Sequence, residues 1–181
     1  SCVQTITVED STPPVITCPV DLTIECDAST DPSNTGIATG SDNCSADNEV
    51  VISFSDVVTP GNCPAEQTIT RTWYATDACG NFSTCDQTIT IVDTTDPTFN
   101  SAPDAIADVS CHDPFPVQET ITASDNCGSA TVVPTIDPYV EDQCNGYTVT
   151  YRWTATDACG NSSETSVTFN VLPDTEGPVF D

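Results

Sequence analysis

The chain contains no lysine, and Arg71 and Arg152 are its only arginines. Against these two cations stand 28 acidic residues, so the formal net charge is −26 over 181 residues. A chain with this charge repels the phosphates of nucleic acids, which excludes nucleic acid as a partner. The absence of lysine also excludes Lys–Asn isopeptide crosslinks as a means of bracing the fold.

Long apolar stretches are missing too. No segment reaches the ~18 apolar residues of a membrane-spanning helix, and no signal peptide is recognisable. We therefore expect a mature extracellular segment with no membrane span, whose export signal lies elsewhere.

The acidic surface has two interpretations. It is either a plainly solvated, salt-tolerant surface, or it contains specific calcium sites in which carboxylates converge. Self-repulsion at this net charge costs stability unless cations neutralise part of it. Composition alone leaves both interpretations open.

An internal repeat organises the chain. The segment WYATDACGN at residues 73–81 returns as WTATDACGN at residues 153–161, 153 − 73 = 80 positions later. A period of this size predicts one small β-domain per repeat. Each domain is small enough to bury only a modest core and needs further stabilisation.

Similar proline-containing segments mark the boundaries: DSTPP at 10–14, DTTDP at 93–97 and DTEGP at 174–178. Residues 1–10 (SCVQTITVED) match residues 84–93 (TCDQTITIVD) and are predicted to be the last strand of a preceding repeat. The predicted domains are 11–93 and 94–174, with the start of a following repeat at 175–181. Because proline restricts the backbone, we expect neighbouring repeats to be held in line as an extended rod.

The remaining pattern is that of short strands separated by Asp, Asn, Gly, Pro and Ser clusters. In the first repeat the predicted strands are 15–17, 21–26, 35–39, 49–55, 66–76 and 83–92. In the second repeat they are 98–100, 105–111, 119–123, 130–136, 146–156 and 164–172. Short strands rich in Thr and Val predict an all-β fold of tandem immunoglobulin-like β-sandwich domains.

The tryptophans are predicted to lie in the cores. In the strand 146–156, Tyr151 and Trp153 alternate with polar residues and so share the inward face. Trp73 has the same register, which favours a core residue over an exposed ring that stacks on a sugar. Arg71 also lies on the inward face of its strand, and we expect its side chain to extend to the rim of the sandwich.

Eleven cysteines at this length indicate disulfides formed in an oxidising compartment. Four cysteines align in each repeat, and four allow three pairings. If the strands run up and down a sandwich in order, one pairing brings both partners of each bond to the same end. The bonds predicted on this basis are Cys26–Cys63, Cys44–Cys79, Cys111–Cys144 and Cys127–Cys159.

A further bond is predicted between Cys18 and Cys85, because the second repeat lacks both cysteines together. This bond would join the first strand of the repeat to its last strand. Cys2 is then left unpaired in this segment, and its partner is expected in a preceding repeat.

Several motifs support a family resemblance: ITCP at 16–19, SDNC at 41–44 and 124–127, the repeated WxATDACGN, and CDQTITIVD at 85–93. Together they resemble HYR-like, immunoglobulin-like repeats of giant cell-surface adhesins in Bacteroidota. The resemblance covers nearly the whole chain, although the second repeat reads NSAP at 100–103 in place of ITCP. It implies a stalk or adhesive fibre, exported by the type IX route and in some cases connected with gliding.

Calcium is the most specific candidate ligand. If the middle loop and the last hairpin loop of a repeat share one end, three aspartates converge there. They are Asp10, Asp42 and Asp77 in the first repeat, and Asp93, Asp125 and Asp157 in the second. The alternative is that Asp77, Gly80 and Asn81 are present only because a tight turn requires them.

No catalytic constellation is recognisable, and we expect no enzyme activity. The single histidine, His112, has no identifiable nucleophile beside it, and no glycine-rich phosphate loop is present. A zinc site is the alternative use of the cysteines. One histidine and the absence of CxxC spacing argue against it.

Glycosylation is a further hypothesis. Ser11 and Thr94, in DST and DTT, fit a short O-glycosylation pattern known in Bacteroidota. Asn43, Asn81 and Asn161 lie in N-x-S/T sequons, which are common by chance.

Three functions remain from the sequence. The first is a structural repeat segment of an extracellular, cell-surface fibre or adhesin stalk, whose partners are neighbouring repeats or copies of itself in a filament. The second is a module that binds a polysaccharide or surface through loop aromatics, for which Phe82, Phe115, Tyr139 and Tyr147 are the candidates. The third is a spacer in a secreted multidomain enzyme.

Overall fold

The computed structural model describes residues 2–46, 49–142 and 145–177. The chain divides into two compact units, Ser1–Asp93 and Thr94–Asp181. Strands form nearly all of the regular structure, which confirms the predicted all-β fold. Among the described residues, no helix has the length and apolar character required to cross a membrane.

The described residues of the first unit form two sheets and one short α-helix. Its elements are β1 (Val15–Thr17), β2 (Leu22–Glu25), α1 (Pro32–Thr35), β3 (Thr39–Ser41), β4 (Val51–Pro60), β5 (Gln67–Thr76) and β6 (Phe82–Val92). The larger sheet has the order β2-β6-β5-β4, in which β2 is parallel to β6 and the other pairs are antiparallel. The smaller sheet pairs β1 with β3.

The second unit repeats this arrangement without the helix in its described residues. Its strands are β7 (Thr98–Phe99), β8 (Val109–Ser110), β9 (Ala123–Ser124), β10 (Thr131–Ile136), β11 (Tyr147–Thr156) and β12 (Ser162–Leu172). The sheets have the orders β10-β11-β12-β8 and β7-β9, and β8 is parallel to β12. The long hairpins β5-β6 and β11-β12 hold the two repeated WxATDACGN segments in equivalent places.

The core of the first unit follows the two-residue alternation of a strand. Along β5, Ile69, Trp73 and Ala75 are buried, as predicted for Trp73. The small sheet packs closely on this face, because a Cβ added at Gly40 in β3 would lie 2.8 Å from the Val50 side chain and 3.1 Å from that of Ala75. The two sheets therefore form a small sandwich around the tryptophan.

The core of the second unit is richer in aromatic rings. Tyr151 and Trp153 of β11 and Phe169 of β12 are at most 2% exposed and form one cluster. The polar atoms of the first two rings are satisfied, since Tyr151 donates to the Pro116 carbonyl at 2.6 Å and Trp153 to the Glu119 carbonyl at 3.0 Å.

The predicted strand 35–39 is wrong. Pro32 begins α1, Thr35 ends it, and Gly36 follows with φ of 99°. Proline suits the first helical position, and glycine adopts the left-handed region that terminates the helix. The strand then starts only at Thr39.

The strand predicted for residues 1–10 is not formed in described residues 2–10, which are largely exposed. A strand requires a hydrogen-bonded neighbour, and no described strand pairs with this segment. Its assignment to a preceding repeat stays a prediction.

The position predicted for Arg71 is also wrong, because its side chain is 2% exposed. Its guanidinium donates two hydrogen bonds to Asp56, at 2.8 and 2.9 Å, and one each to the Thr35 hydroxyl and the Thr30 carbonyl, both at 2.9 Å. It also lies 4.4 Å from the centre of the Phe54 ring. These contacts, which we call the arginine network, anchor the α1 segment to the large sheet.

Candidate metal centre

The candidate site in the first unit is built on the turn between β5 and β6. The Asp77 carboxylate accepts hydrogen bonds from the backbone N–H groups of Cys79 and Asn81 at 2.9 and 2.8 Å, and from the Asn81 side chain at 2.8 Å. Gly80 has φ of 91°, a conformation that favours glycine, although a Cβ added there would meet no atom within 4 Å. Asp77 is therefore both a turn residue and a buried carboxylate.

Two further aspartates meet Asp77. Asp42 accepts from the N–H groups of Cys44 and Ser45, both at 2.8 Å, and Asp10 accepts from the N–H of Thr12 at 3.0 Å. Oxygen atoms of Asp10, Asp42 and Asp77 lie within 4.8 Å of one another. We call this set the first aspartate cluster, and its geometry is the convergence that the sequence predicted.

Each of the two outer carboxylates leaves one oxygen without a partner. Asp10 Oδ2 and Asp42 Oδ1 are buried and accept no hydrogen bond in the described part of the chain. A buried, unpartnered carboxylate oxygen is costly, and three carboxylates at this separation repel one another. A hard cation that takes oxygen ligands removes both penalties, so the residues fit Ca²⁺.

Asn81 orients this cluster. Its side-chain Nδ2 donates to the Asp77 carboxylate at 2.8 Å and to the Asp10 backbone carbonyl at 3.1 Å. The sequence offered a signal for this role, because Asn161 occupies the equivalent place and donates to Asp157 at 2.8 Å.

The second unit carries one such half-satisfied carboxylate. Asp125 accepts from Cys127 N–H at 2.8 Å through one oxygen, while its Oδ2 is buried without a hydrogen-bond partner among the described residues. Asp157 accepts from the N–H of Cys159 at 2.8 Å, and its carboxylate lies within 4.8 Å of that of Asp125. Asp93 is buried at the end of the first unit. Its predicted meeting with Asp125 and Asp157 stays a prediction.

Hydrogen bonds within the turns keep Asp77 and Asp157 in the ionised form. Burial acts to raise the pKa of Asp77, but the hydrogen bonds from Asn81, Cys79 and Gly80 outweigh it and hold this pKa below its ordinary value of 3.8. The pKa of Asp157 is lowered by the same balance. Both carboxylates are therefore ionised at neutral pH and available to a cation.

A pH dependence follows from these lowered pKa values. The contribution of the two carboxylates to stability is fully present above pH 3.8 and is lost as the pH falls through the lower pKa of the folded state. We expect the thermal midpoint of unfolding to decrease when the pH is lowered below about 4. In the double variant Asp77→Asn/Asp157→Asn this fall should be shallower, as followed by circular dichroism. Parallel curves for the two proteins would contradict the assignment.

The disulfide between Cys18 and Cys85 is present, with a Cα–Cα distance of 5.9 Å. Cys26, Cys63, Cys127 and Cys159 are also disulfide-bonded. The pairs Cys26–Cys63 and Cys127–Cys159 stay predictions. Cys2 is free and exposed.

The predicted Cys44–Cys79 bond is not formed. Both thiols are free and exposed, and their two turns are held by hydrogen bonds from backbone amides to Asp42 and Asp77 instead. The pKa of the Cys44 thiol is raised, first because neighbouring protein atoms displace part of its water and then because of the negative charges of Asp10 and Asp42.

The predicted Cys111–Cys144 bond is likewise not formed by Cys111, which is a free thiol. Its sulfur lies 3.2 Å from Nδ1 of His112, so a sulfur–imidazole hydrogen bond takes the place of the disulfide. Cys144 lies outside the described residues.

Comparison with known families identifies one match. Residues 99–171 match the family model of the HYR-like domain with 4 cysteines. Over this range the chain is similar to the HYR-like family. The range contains four cysteines, and the two repeated aspartates Asp125 and Asp157 lie within it. No curated protein matches the chain.

Solved structures that resemble the chain include extracellular fragments of cadherins and protocadherins. They include Drosophila N-cadherin EC1-4 (11% identity, 88% of this chain and 49% of that chain, TM-score 0.37). A second is human protocadherin-24 EC1-2 (11% identity, 91% of this chain and 100% of that chain, TM-score 0.36). A third is human CDH23 EC21-23 (12% identity, 89% of this chain and 70% of that chain, TM-score 0.39). The chain spans about half the length of the N-cadherin fragment. Similarity at this level carries no information about ligands or partners.

Proposed function

We propose that this chain is a non-catalytic structural segment of an extracellular surface fibre or adhesin stalk. We also propose that calcium stabilises its repeats at two aspartate clusters, which are the first aspartate cluster and Asp125 with Asp157 of the second unit. The observation that carries the calcium proposal is the pair of buried, unpartnered oxygens of Asp10 and Asp42. The HYR-like match and the internal repeat support the structural role. The resemblance to Bacteroidota surface repeats supports a place at the cell surface.

Calcium would act in two ways. Bound between Asp10, Asp42 and Asp77, it would tie the start of the unit to the middle loop and to the β5-β6 turn. It would also reduce the self-repulsion that a net charge of −26 imposes on the folded chain. Since binding to the folded state alone stabilises that state, affinity and stability should change together.

The calcium prediction concerns Asp42. We expect calorimetric titration to show binding that the Asp42→Asn variant weakens by at least tenfold, because the unpartnered oxygen is replaced while the acceptor for Cys44 and Ser45 can be kept. Asp31→Asn is the matched control. This aspartate is exposed and makes no side-chain capping bond, so the same change of charge should leave binding unaltered. Equal weakening in both variants would show that only net charge matters.

The other parts of the proposal stay predictions. They are the extended-rod arrangement, self-association into filaments, and O-glycosylation at Ser11 and Thr94, both of which are exposed. A spacer in a secreted enzyme is the alternative that no observation favours. A polysaccharide-binding module is favoured by one observation, which concerns the second unit.

A further inference from the structure

Three of the four loop aromatics singled out in the sequence meet in the second unit. Tyr139 and Tyr147 are parallel, with ring centres 5.7 Å apart and planes at 2°. Phe115 contacts Tyr139 edge-on at 5.9 Å. The fourth aromatic, Phe82, is exposed and belongs to the first unit.

This aromatic group is fixed to the core. Phe115 makes a second edge-on contact, at 5.9 Å, with the buried ring of Phe169. Tyr147 begins β11 and packs against the same core cluster. The exposed ring of Tyr139 is therefore held in place before any ligand arrives, which lowers the entropic cost of binding.

A groove of about 480 Å³ opens beside the tyrosines. Its lining residues are Asp137, Pro138, Tyr139, Val140, Tyr147, Thr148 and Thr150. The volume is in the range of small-ligand sites. Tyr139 is 38% exposed, so part of its side chain is accessible to a ligand.

The polar wall of the groove is also fixed. Arg152 donates to both oxygens of Asp137, at 2.9 and 2.7 Å, and this holds the pKa of Asp137 below its ordinary value. The groove thus combines an aromatic face with an ionised carboxylate and threonine hydroxyls. These groups offer hydrogen-bond acceptors and donors at fixed places around an apolar surface.

We propose that this tyrosine groove binds a neutral polysaccharide. One face of a pyranose ring presents C–H groups, which suit the negative face of an aromatic ring, and its rim presents hydroxyls that pair with carboxylate and threonine oxygens. Acidic polymers are disfavoured by Asp137 and by the net charge of −26. The groove shares no residue with the aspartate clusters.

The first unit serves as an internal comparison. Gln67 occupies the position of Tyr147, 147 − 67 = 80 residues earlier. Thr59, in strand β4, likewise occupies the position of Tyr139, 139 − 59 = 80 residues earlier. Since neither tyrosine has an aromatic counterpart in the first unit, we assign the binding to the second unit alone.

Affinity electrophoresis of the whole chain tests the proposal. The gels contain laminarin, mannan or xylan as neutral probes and polygalacturonate as an acidic probe, all with saturating calcium. We expect at least one neutral probe to retard the chain and the acidic probe not to. Tyr139→Ala should weaken that binding at least tenfold, Tyr139→Phe should restore most of it, and Phe82→Ala should have no effect.

Three results would overturn the inference. They are no retardation by any neutral probe, equal retardation of Tyr139→Ala and the unaltered chain, and binding to the acidic probe alone. Because Tyr139 is partly exposed, its replacement should leave the fold intact, and an unchanged thermal midpoint verifies this. If Tyr139→Ala lowers the thermal midpoint, binding is measured for Tyr139→Leu instead, because leucine keeps an apolar contact but removes the ring. Retention of binding by that variant would also overturn the inference.

Discussion

Arg71→Met is expected to destabilise the first unit by about 3 kcal/mol, at the lower end for a buried ion pair that loses one partner. The replacement keeps an apolar stem but removes the donors to Asp56, Thr35 and Thr30. Asp56 is 28% exposed and so regains some solvation, which limits the loss. At ~4–8 °C per kcal/mol for a unit of this size, the midpoint should fall by roughly 12 °C or more.

Denaturant unfolding in a Trp153→Phe background measures this effect, because Trp73 is then the only tryptophan and reports the first unit. Arg152→Met in the unaltered background, followed by calorimetry, is the matched control. Arg152 makes the same two-oxygen contact with an aspartate 15 residues earlier, but its side chain is 36% exposed. Surface ion pairs contribute little, so its loss should have a much smaller effect. Similar effects of the two replacements would contradict the role given to burial.

The Cys18–Cys85 bond is expected to contribute about 4 kcal/mol, because it closes a loop of 67 residues in the unfolded chain. The double variant Cys18→Ser/Cys85→Thr removes the bond without leaving an unpaired thiol. It also gives the first unit the residues of the second, which has Ser101 and Thr165 in their places. The strand register supports this equivalence, since Trp73 lies opposite Cys85 and Trp153 opposite Thr165.

Calorimetry of the double variant should show a lower transition for the first unit and an unchanged transition for the second. Both proteins are measured without reductant, so that the remaining disulfides stay intact. A variant whose first transition equals that of the unaltered chain would show that the bond does not restrict the unfolded state.

The fold was largely predictable because strand alternation and the repeat are local features of the sequence. The long strands β5, β6, β11 and β12 follow the predicted strands within two residues at each end. The α1 segment was missed, since a four-residue helix has no periodicity and is marked only by Pro32 and Gly36. Side-chain partners across the sandwich are long-range, so the burial of Arg71 could not be read from strand parity.

The candidate site was predictable in part. The repeat and the order of strands identified Asp10, Asp42 and Asp77, because loops that follow antiparallel strands in order return to the same end of a sandwich. The unpartnered oxygens have no signature in local sequence. The repetition of Asn81 as Asn161 marks the residue, but it does not show that Asn81 joins Asp77 to Asp10. The free thiols of Cys44 and Cys79 show that two cysteines predicted at the same end of a sandwich need not form a disulfide.

The same limit applies to the tyrosine groove. The sequence indicated Phe115, Tyr139 and Tyr147 separately, as loop aromatics. Phe115 lies 24 residues before Tyr139, so their meeting is a long-range contact that no periodicity encodes.

Calcium binding at the aspartate clusters should stabilise the repeats. Thermal unfolding of the whole chain in EDTA, compared with millimolar calcium at constant ionic strength, tests it most directly. We predict a midpoint several degrees higher in calcium, and a smaller increase for Asp42→Asn than for Asp31→Asn. Superimposable curves in EDTA and calcium would contradict the account.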